Sequence, residues 1–488
     1  MEGLFKEFPW AAVLILLPLL GGIVCFLFSG IAKLAGLITV FFTALAVLGL
    51  GWQILDNGIY RHAVGGWGAP LGIDLYADGL SLLMLAATAL VALGVSVYSA
   101  GYFERGYSTR FWPIWLFLLG ALNALFLAAD IFNLYVTLES MGLAAVALAG
   151  LAGGKNALTG AMRYLLATLL GSLLYLLGVA LLYHGFGTVD ITLLAERAEA
   201  SPIIWAALGL IAAGLMLKTA LFPLHFWLPP AHGSAPPPVS ALLSALVVKA
   251  SFYILLRLWL EIFGPLVSNT DVSTLFGLLG AAAILWGSVQ ALRQTRLKLM
   301  IAYSTVAQIG YLFLAFPLAT AAGVAAWSAA MYLAFSHALA KAAMFLAAGN
   351  ILRFGGHDRI ADLDRVVNRL PLTAAAFALA GVSIMGLPPS GGFIGKWLML
   401  EAAITQGRWE IVAVMILGGL LAAAYIFKVL GHTFTQAPAP HESKAVPASM
   451  EWSALLLAIA AVLLGFLAVP VLSLLNIGDP FGVSEATQ

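Results

Sequence analysis

The stretch GLMLKTALFPLHFWLPPAHGSAPPPVSALLSALVVKASFYIL, residues 214–255, decides how the whole chain reads. Each flank is apolar enough to cross a bilayer, yet each carries a lysine, Lys218 or Lys249. Between them crowd Pro223, Pro229, Pro230 and Pro236 to Pro238. In a membrane, a lysine near the middle of a helix costs about 3 kcal/mol on insertion scales, so it must face other protein, a partner charge or water. A broken helix leaves backbone amides and carbonyls unsatisfied unless it lines a hydrated cavity. The stretch therefore reads as two spanning helices separated by a gap that hydrates one end of a polar path.

The composition demands the same solvent. The 488 residues are 62% hydrophobic and only 9% charged, with a mean hydropathy of +1.02. A water-soluble fold of that size needs far more surface charge. A net charge of +1 points to no nucleic acid and no polyanionic partner. The single cysteine, Cys25, lies in an apolar run, which excludes a disulfide framework, an iron–sulfur cluster and a thiolate metal site within this chain. No cofactor-binding, catalytic or metal-ligating set is expected. The opening residues MEGLFKEFPW lack a basic n-region and a cleavage site, so 9–29 reads as a retained first span.

Apolar runs of about 20 residues between polar or Gly/Pro breaks predict about fourteen spans. They fall near 9–29, 33–54, 79–100, 111–129, 131–152, 163–184, 203–222, 239–259, 273–292, 299–317, 321–348, 372–405 with an interruption, 409–433 and 450–475. The longest polar gap, 56–78, contains GGWGAP and predicts a small hairpin over one membrane face. Loops on alternate sides differ in charge. One side holds Lys33, Arg105, Arg110, Lys155, Arg163, Lys298 and most later arginines, whereas the other holds little beyond Lys6, Arg61, Arg197 and Arg408. The positive-inside rule then predicts an inner-membrane protein with both termini extracytoplasmic.

The interruptions expose a repeat. The seventh span breaks at FPLHFWLPPAHGSAPPP (222–238) and the twelfth at GLPPSGGF (386–393), with Lys218 before the first break and Lys396 after the second. An interval of five helices reverses direction across the membrane, so spans 4–8 and 9–13 read as inverted copies. The expected class is an all-α polytopic membrane protein, a single membrane domain over 1–488. Repeat 1 covers about 111–259 and repeat 2 about 273–433, with 1–100 and 450–488 as flanking helices. Prolines that merely end helices at loops are the plainer reading of either break alone.

Buried charge carries the chemistry. Glu139 lies mid-helix in IFNLYVTLESMGLAAVALA, Lys218 late in the seventh span and Lys249 in the eighth. His337 and Lys341 stand one turn apart in AFSHALAKAAMF and share a face. Lys396 opens the second half of span 12. Glu139 and Lys218 also suit a static pair that staples two helices. Lys249 and Lys396 have no acidic neighbour in sequence, and an unpaired buried lysine is easier to explain as a group that gains and loses a proton. Lys428 reads as snorkelling to the interface, His225 and His232 suit either an interfacial or a relay role, and Asp74, Asp78 and Asp130 sit where capping suffices.

The segments KTALFPLHFWLPPAHGSAPPPVSALLSALVVKASFYILLR, KLMIAYSTVAQIGYL, SHALAKAAMFLAAG and MGLPPSGGFIGKWLMLEA resemble the motifs of one family. These are the antiporter-like subunits shared by Mrp cation/proton antiporters, respiratory complex I and membrane-bound group 4 hydrogenases, with the D-type subunit of Mrp antiporters the nearest. The resemblance runs from about span 3 to span 13. It implies fourteen helices, two inverted five-helix repeats and a central hydrophilic axis for protons. Carried over by position, the family's span-5 glutamate falls on Glu139, its span-7 lysine on Lys218 and its span-8 lysine on Lys249. Its span-11 histidine falls on His337 and its span-12 exit residue on Lys396.

Two departures narrow the comparison. Gln308 stands where many relatives have a histidine, so a relay there needs water, Tyr303 or Ser304. The lysine at 396 differs from complex I relatives with glutamate at that place. The resemblance implies a secondary-transporter subunit rather than an enzyme, exchanging protons against Na⁺ or another cation. Its expected partners are other membrane subunits and the lipid bilayer. A proton-pumping subunit of a redox-driven complex is the alternative.

Overall fold

The computed structural model describes residues 8–267, 270–322, 324–437 and 444–478. Among the described residues, thirteen helices are long and apolar enough to cross a membrane. They are α1 (Trp10–Leu27), α2 (Ser29–Asn57), α3 (Gly79–Tyr102), α4 (Arg105–Phe126), α5 (Ile131–Ala152), α6 (Gly154–Phe186), α7 (Pro202–Ser234), α8 (Pro237–Leu266), α9 (Asp271–Arg293), α10 (Leu297–Ala319), α11 (Ala325–Gly355), α13 (Trp409–Thr433) and α14 (Ala448–Phe466). Helix α12 completes the set of fourteen in two halves, Pro371–Met385 and Gly391–Thr405, each too short to span by itself. The protein is thus an all-α, multi-pass membrane protein.

Helix α6 starts well before the expected 163, at Gly154. Lys155 and Arg163 end the apolar run but do not stop a helix, whereas Gly153 and Gly154, both with positive φ, do. The polar gap after α2 folds as an antiparallel hairpin, β1 (Tyr60–Ala63) with β2 (Asp74–Ala77). Arg61 fastens this hairpin to the loop after α6, meeting Asp74 at 2.7 Å and Asp190 at 2.9 Å.

Helices α4–α8 and α9–α13 form two inverted repeats. The packing partners match: α4 on α5 as α9 on α10, α5 on α6 as α10 on α11, and α6 on α7 as α11 on both halves of α12. The breaks match in detail. Thr219 and Met385 end their half-helices, and the next residues, Ala220 (φ 59) and Gly386 (φ 82), take the left-handed conformation. Each is followed by an amide that reaches back to close the turn, Leu221 N to Met216 O and Leu387 N to Val382 O. A proline, Pro223 or Pro389, follows three residues after each.

The repeats meet at α8 and α11. The most apolar stretch of each is wholly buried, whereas α1, α6 and α13 keep less than half of theirs from the surface. Leucines such as Leu166 and Leu173 on α6 face outward, where acyl chains would meet them. A helix apolar all round belongs in the centre. Lys249 on α8 and Lys341 on α11 are therefore held away from both lipid and bulk water.

Candidate proton path

The first cluster lies between α5, α6 and α7. Lys218 is in the last turn before the α7 break, its Nζ 3.8 Å from Glu139 Oε2. It donates to Thr168 Oγ1 at 2.7 Å, and Ser172, one turn along α6, donates to Glu139 Oε2. Glycines make room for this. A Cβ on Gly214 would stand 2.4 Å from the Gly171 carbonyl oxygen, and one on Gly171 would meet the Lys218 side chain at 2.9 Å. The two helices touch backbone to backbone so that the lysine can lie across the seam. Glu139 keeps 20% of its side chain exposed and Lys218 only 3%, so the carboxylate is the wetter end.

The second cluster joins the repeats. Lys249 Nζ donates to the Ser244 carbonyl at 2.6 Å, within a widened turn over Leu243–Val247. Such π-type turns displace carbonyls from the ordinary ladder and are frequent at functional sites. Ser244 Oγ lies 2.8 Å from Thr305 Oγ1 on α10. Thr305 spends its own proton on the Ile301 carbonyl at 3.0 Å, so Ser244 is the donor between the two hydroxyls. The same carbonyl accepts from Lys341 Nζ at 3.0 Å, and Lys341 also donates to Ser304 Oγ. Polar contacts thus run from Lys249 on α8 through α10 to Lys341 on α11.

The third cluster is built on α12. Lys396 lies in the second turn of the second half-helix, donates to the Ile384 carbonyl at 2.7 Å and stands 4.4 Å over the Tyr311 ring. Ile384 precedes Gly386 by two residues, as Lys218 precedes Ala220. Both lysine nitrogens therefore reach the last turn of the first half-helix, one from that turn and the other from beyond the break. Gln308 donates to the same Ile384 carbonyl at 3.3 Å, one turn along α10 from Ser304. It stands in the gap between Lys341 and Lys396.

His337 is buried one turn from Lys341, and neither ring nitrogen has a hydrogen-bond partner among the described residues. Ser336 beside it meets Ser383 of α12 at 2.8 Å. Of the six expected residues, Glu139 and Lys218 meet directly, Lys249 and Lys341 are joined through polar groups of α8 and α10, Lys396 is held at the α12 break, and His337 is buried one turn from Lys341.

Several side chains depart from the sequence reading. His232 is fully buried and stacked on Phe345 at 5.4 Å, not interfacial, because the helix Leu228–Ser234 that continues α7 past its break packs against α6 and α10. Lys298 is likewise buried rather than in a loop, donating to the Ala235 and Gly233 carbonyls. It borders a cavity of about 1010 Å³ that also meets Glu104, Asn156, Arg296 and Arg353. Asp78 caps α3 through Ser81 N but also holds Arg257 in a fork, at 2.5 and 2.8 Å. Arg257 was legible as a charge inside an apolar span and is absent from the expected set. Lys428 caps the end of α9, donating to the Leu292 and Gln294 carbonyls at 2.9 Å each.

Residues 128–422 match the family described as NADH:quinone oxidoreductase/Mrp antiporter, TM. NADH-quinone oxidoreductase subunit N of Desulforudis audaxviator is 36% identical over 451 residues, covering 86% of this chain and 88% of that protein. The D-type subunit of the Na(+)/H(+) antiporter of Alkalihalophilus pseudofirmus is 30% identical over 432 residues, 86% of each. Among solved structures, a chain of the membrane-bound sulfane sulfur reductase, an archaeal respiratory membrane complex, superposes with a TM-score of 0.88 at 27% identity, covering 96% of both chains.

Proposed function

The chain belongs to the NADH:quinone oxidoreductase/Mrp antiporter transmembrane family, and on that footing we propose that it is the proton-translocating subunit of a multisubunit Mrp-type cation/proton antiporter. Its partners are other membrane subunits. The observation that carries this reading is the run of contacts from Lys249 and Ser244 through Thr305 and the Ile301 carbonyl to Lys341, which links the two repeats across the buried interior. A scaffold has no use for three lysines held only by carbonyls, hydroxyls and a ring.

In this reading a proton rests on Lys218 while Glu139 faces it at 3.8 Å. Moving or neutralising Glu139 releases it towards Lys249. Lys249 hands it to Lys341 by way of the Ser244 and Thr305 hydroxyls, with water joining each ammonium to the nearer hydroxyl because the Ser244 and Ile301 carbonyls accept but pass no proton, and with His337 alongside. Lys396 receives it by way of Ser304 and water that passes the non-titrating amide of Gln308, and discharges it at the α12 break. Neighbouring lysines repel when both are charged, so protonating one disfavours protonating the next. We take 111–259 and 273–433 as the two repeats, in an inner-membrane protein with both ends extracytoplasmic. Reporter fusions to Met1 and Gln488 test that orientation, and ends on opposite sides would refute it.

The 30% identity to the antiporter relative supports cation exchange. A second reading, a proton pump within a redox-driven complex, draws on the 36% identity to a complex I subunit N and the likeness to the sulfane sulfur reductase chain. Purifying the intact assembly separates them. Proton movement that follows Na⁺ or another cation, with no redox centre among the partners, supports antiport. Iron–sulfur partners and electron-driven proton movement would replace it with the second reading.

A further inference from the structure

The path described above leaves α8 at Lys249, yet a row of polar residues continues along the same helix. Lys249, Tyr253, Arg257 and Glu261 follow one another at four-residue intervals and so share one face. The first three are at most 4% exposed. The Glu261 side chain, 34% exposed, is the one that reaches the surface. A second widened turn, over Trp259–Phe263, carries Glu261, yet its carboxylate still stands 3.7 Å from Arg257 Nη1.

The contacts between these residues are unbroken from Tyr253 outward. The Tyr253 hydroxyl lies 3.0 Å from Ser81 Oγ and 3.2 Å from the Phe126 carbonyl. It accepts from Arg257 Nη2 at 3.1 Å. Arg257 is forked onto the fully buried Asp78 and lies 5.6 Å over the Tyr76 ring of β2. One guanidinium therefore faces two carboxylates. Asp78 takes both of its forked bonds, which leaves Glu261 as the carboxylate free to exchange a proton with water.

We propose that the row Lys249–Tyr253–Arg257–Glu261, closed by Asp78, is a second limb of the proton path. It branches from the central axis at Lys249 and ends at Glu261 on the membrane face that carries the β1–β2 hairpin. The proton leaves the Lys249 ammonium by way of water for the Tyr253 hydroxyl, passes to Ser81 with each hydroxyl giving up one proton as it takes another, and crosses water beside Arg257 to the Glu261 carboxylate before reaching the surface. Arg257 keeps its charge throughout, since guanidinium does not deprotonate in proteins. It fixes the two carboxylates and bars other cations. The limb rests on the proton reading of the central axis.

The test uses the intact assembly in vesicles with a pH-sensitive dye, comparing the unaltered chain with Glu261→Gln, Glu261→Asp and Tyr253→Phe. Glu261→Gln should slow proton movement on the order of 10²-fold, Glu261→Asp should retain most of it, and added azide, whose neutral acid ferries protons to exposed sites, should restore the Gln variant. Tyr253→Phe keeps the ring, loses the hydroxyl and should be slow with or without azide, because that position is buried. Wild-type rates in both Glu261→Gln and Tyr253→Phe would overturn the limb while leaving the central axis intact. A slow Gln variant that azide fails to restore would overturn it as well, marking Glu261 as a structural partner of Arg257. An unaltered assembly that moved no protons would sink the central axis and the limb together.

Discussion

Replacing Glu139 by glutamine keeps the shape of the side chain and removes its charge, so it isolates what the carboxylate does for Lys218. The two groups stand 3.8 Å apart. At an effective dielectric of about 20, two unit charges at that separation attract by about 4 kcal/mol. Lys218 keeps its bond to Thr168 in the variant, so the lost quantity is the charge interaction alone. If the proton waiting on Lys218 is held by that attraction, removing it should slow turnover on the order of 10³-fold, at about 1.4 kcal/mol per factor of ten. Lys218→Ala should fall equally far. The double variant should be no slower than either single, because the pair acts as a unit. The assay is dye-reported proton movement in vesicles holding the intact assembly, with partner subunits checked by co-purification. A loss of less than about tenfold in Glu139→Gln, or strictly additive losses in the double variant, would refute the coupled-pair reasoning and leave only a staple between helices.

The other expectations concern separate parts of the molecule. Lys396→Arg should stop transport as completely as Lys396→Ala, since arginine stays charged and cannot release a proton; normal transport in the arginine variant would make Lys396 a fixed charge and move the exit elsewhere. Gly214→Ala puts a Cβ 2.4 Å from the Gly171 carbonyl oxygen and should cost about 1–3 kcal/mol by overpacking, read as a lower melting temperature of the solubilised protein, whereas an unchanged melt would show that α6 and α7 can part freely. Ala220 sits at φ 59, so Ala220→Gly should stabilise by about 1 kcal/mol through relief of left-handed strain, and a destabilised glycine variant would contradict it. For Asp78, burial pushes the carboxyl up, but the Arg257 charge and the bonds from Arg257 and Ser81 outweigh it and hold it below the usual range. A depressed carboxyl stabilises fully above its unfolded value of about 4 and loses that contribution as pH falls through the lower folded value. Thermal stability should therefore drop below about pH 4, and Asp78→Asn, less stable at neutral pH, should flatten that drop; an equally steep acid loss in the variant would assign it to other groups.

The buried arginine shows how far reading along the chain reaches. Arg257 is a charge in an apolar run, visible by the same rule that singles out Lys249, but its partner Asp78 lies 179 residues away. At the mouth of α3, Asp78 looks like an ordinary cap, and it is one. Nothing local distinguishes a cap that meets only amides from one that also holds a guanidinium. Gln308 is similar. In sequence it is a missing histidine, and in space it shares an acceptor with Lys396.

The sequence by itself determined the solvent, the helices, the two breaks and the lysines beside them. These follow from quantities that add along the chain: apolar length against bilayer thickness, the missing amide of proline, and the cost of a charge in a dry helix. It also determined that α7 and α12 run in opposite directions, since an odd interval, five helices from one to the other, reverses the chain across the membrane. Only the tertiary structure decided which carbonyls receive the lysines and that Lys298 and His232 turn inward. It alone brought Ser244 of α8 against Thr305 of α10. Those contacts depend on how closely α6 approaches α7 and on which faces of α8, α10 and α11 meet. Helix periodicity says that a residue shares a face with its neighbour one turn away, but not which helix will lie opposite that face.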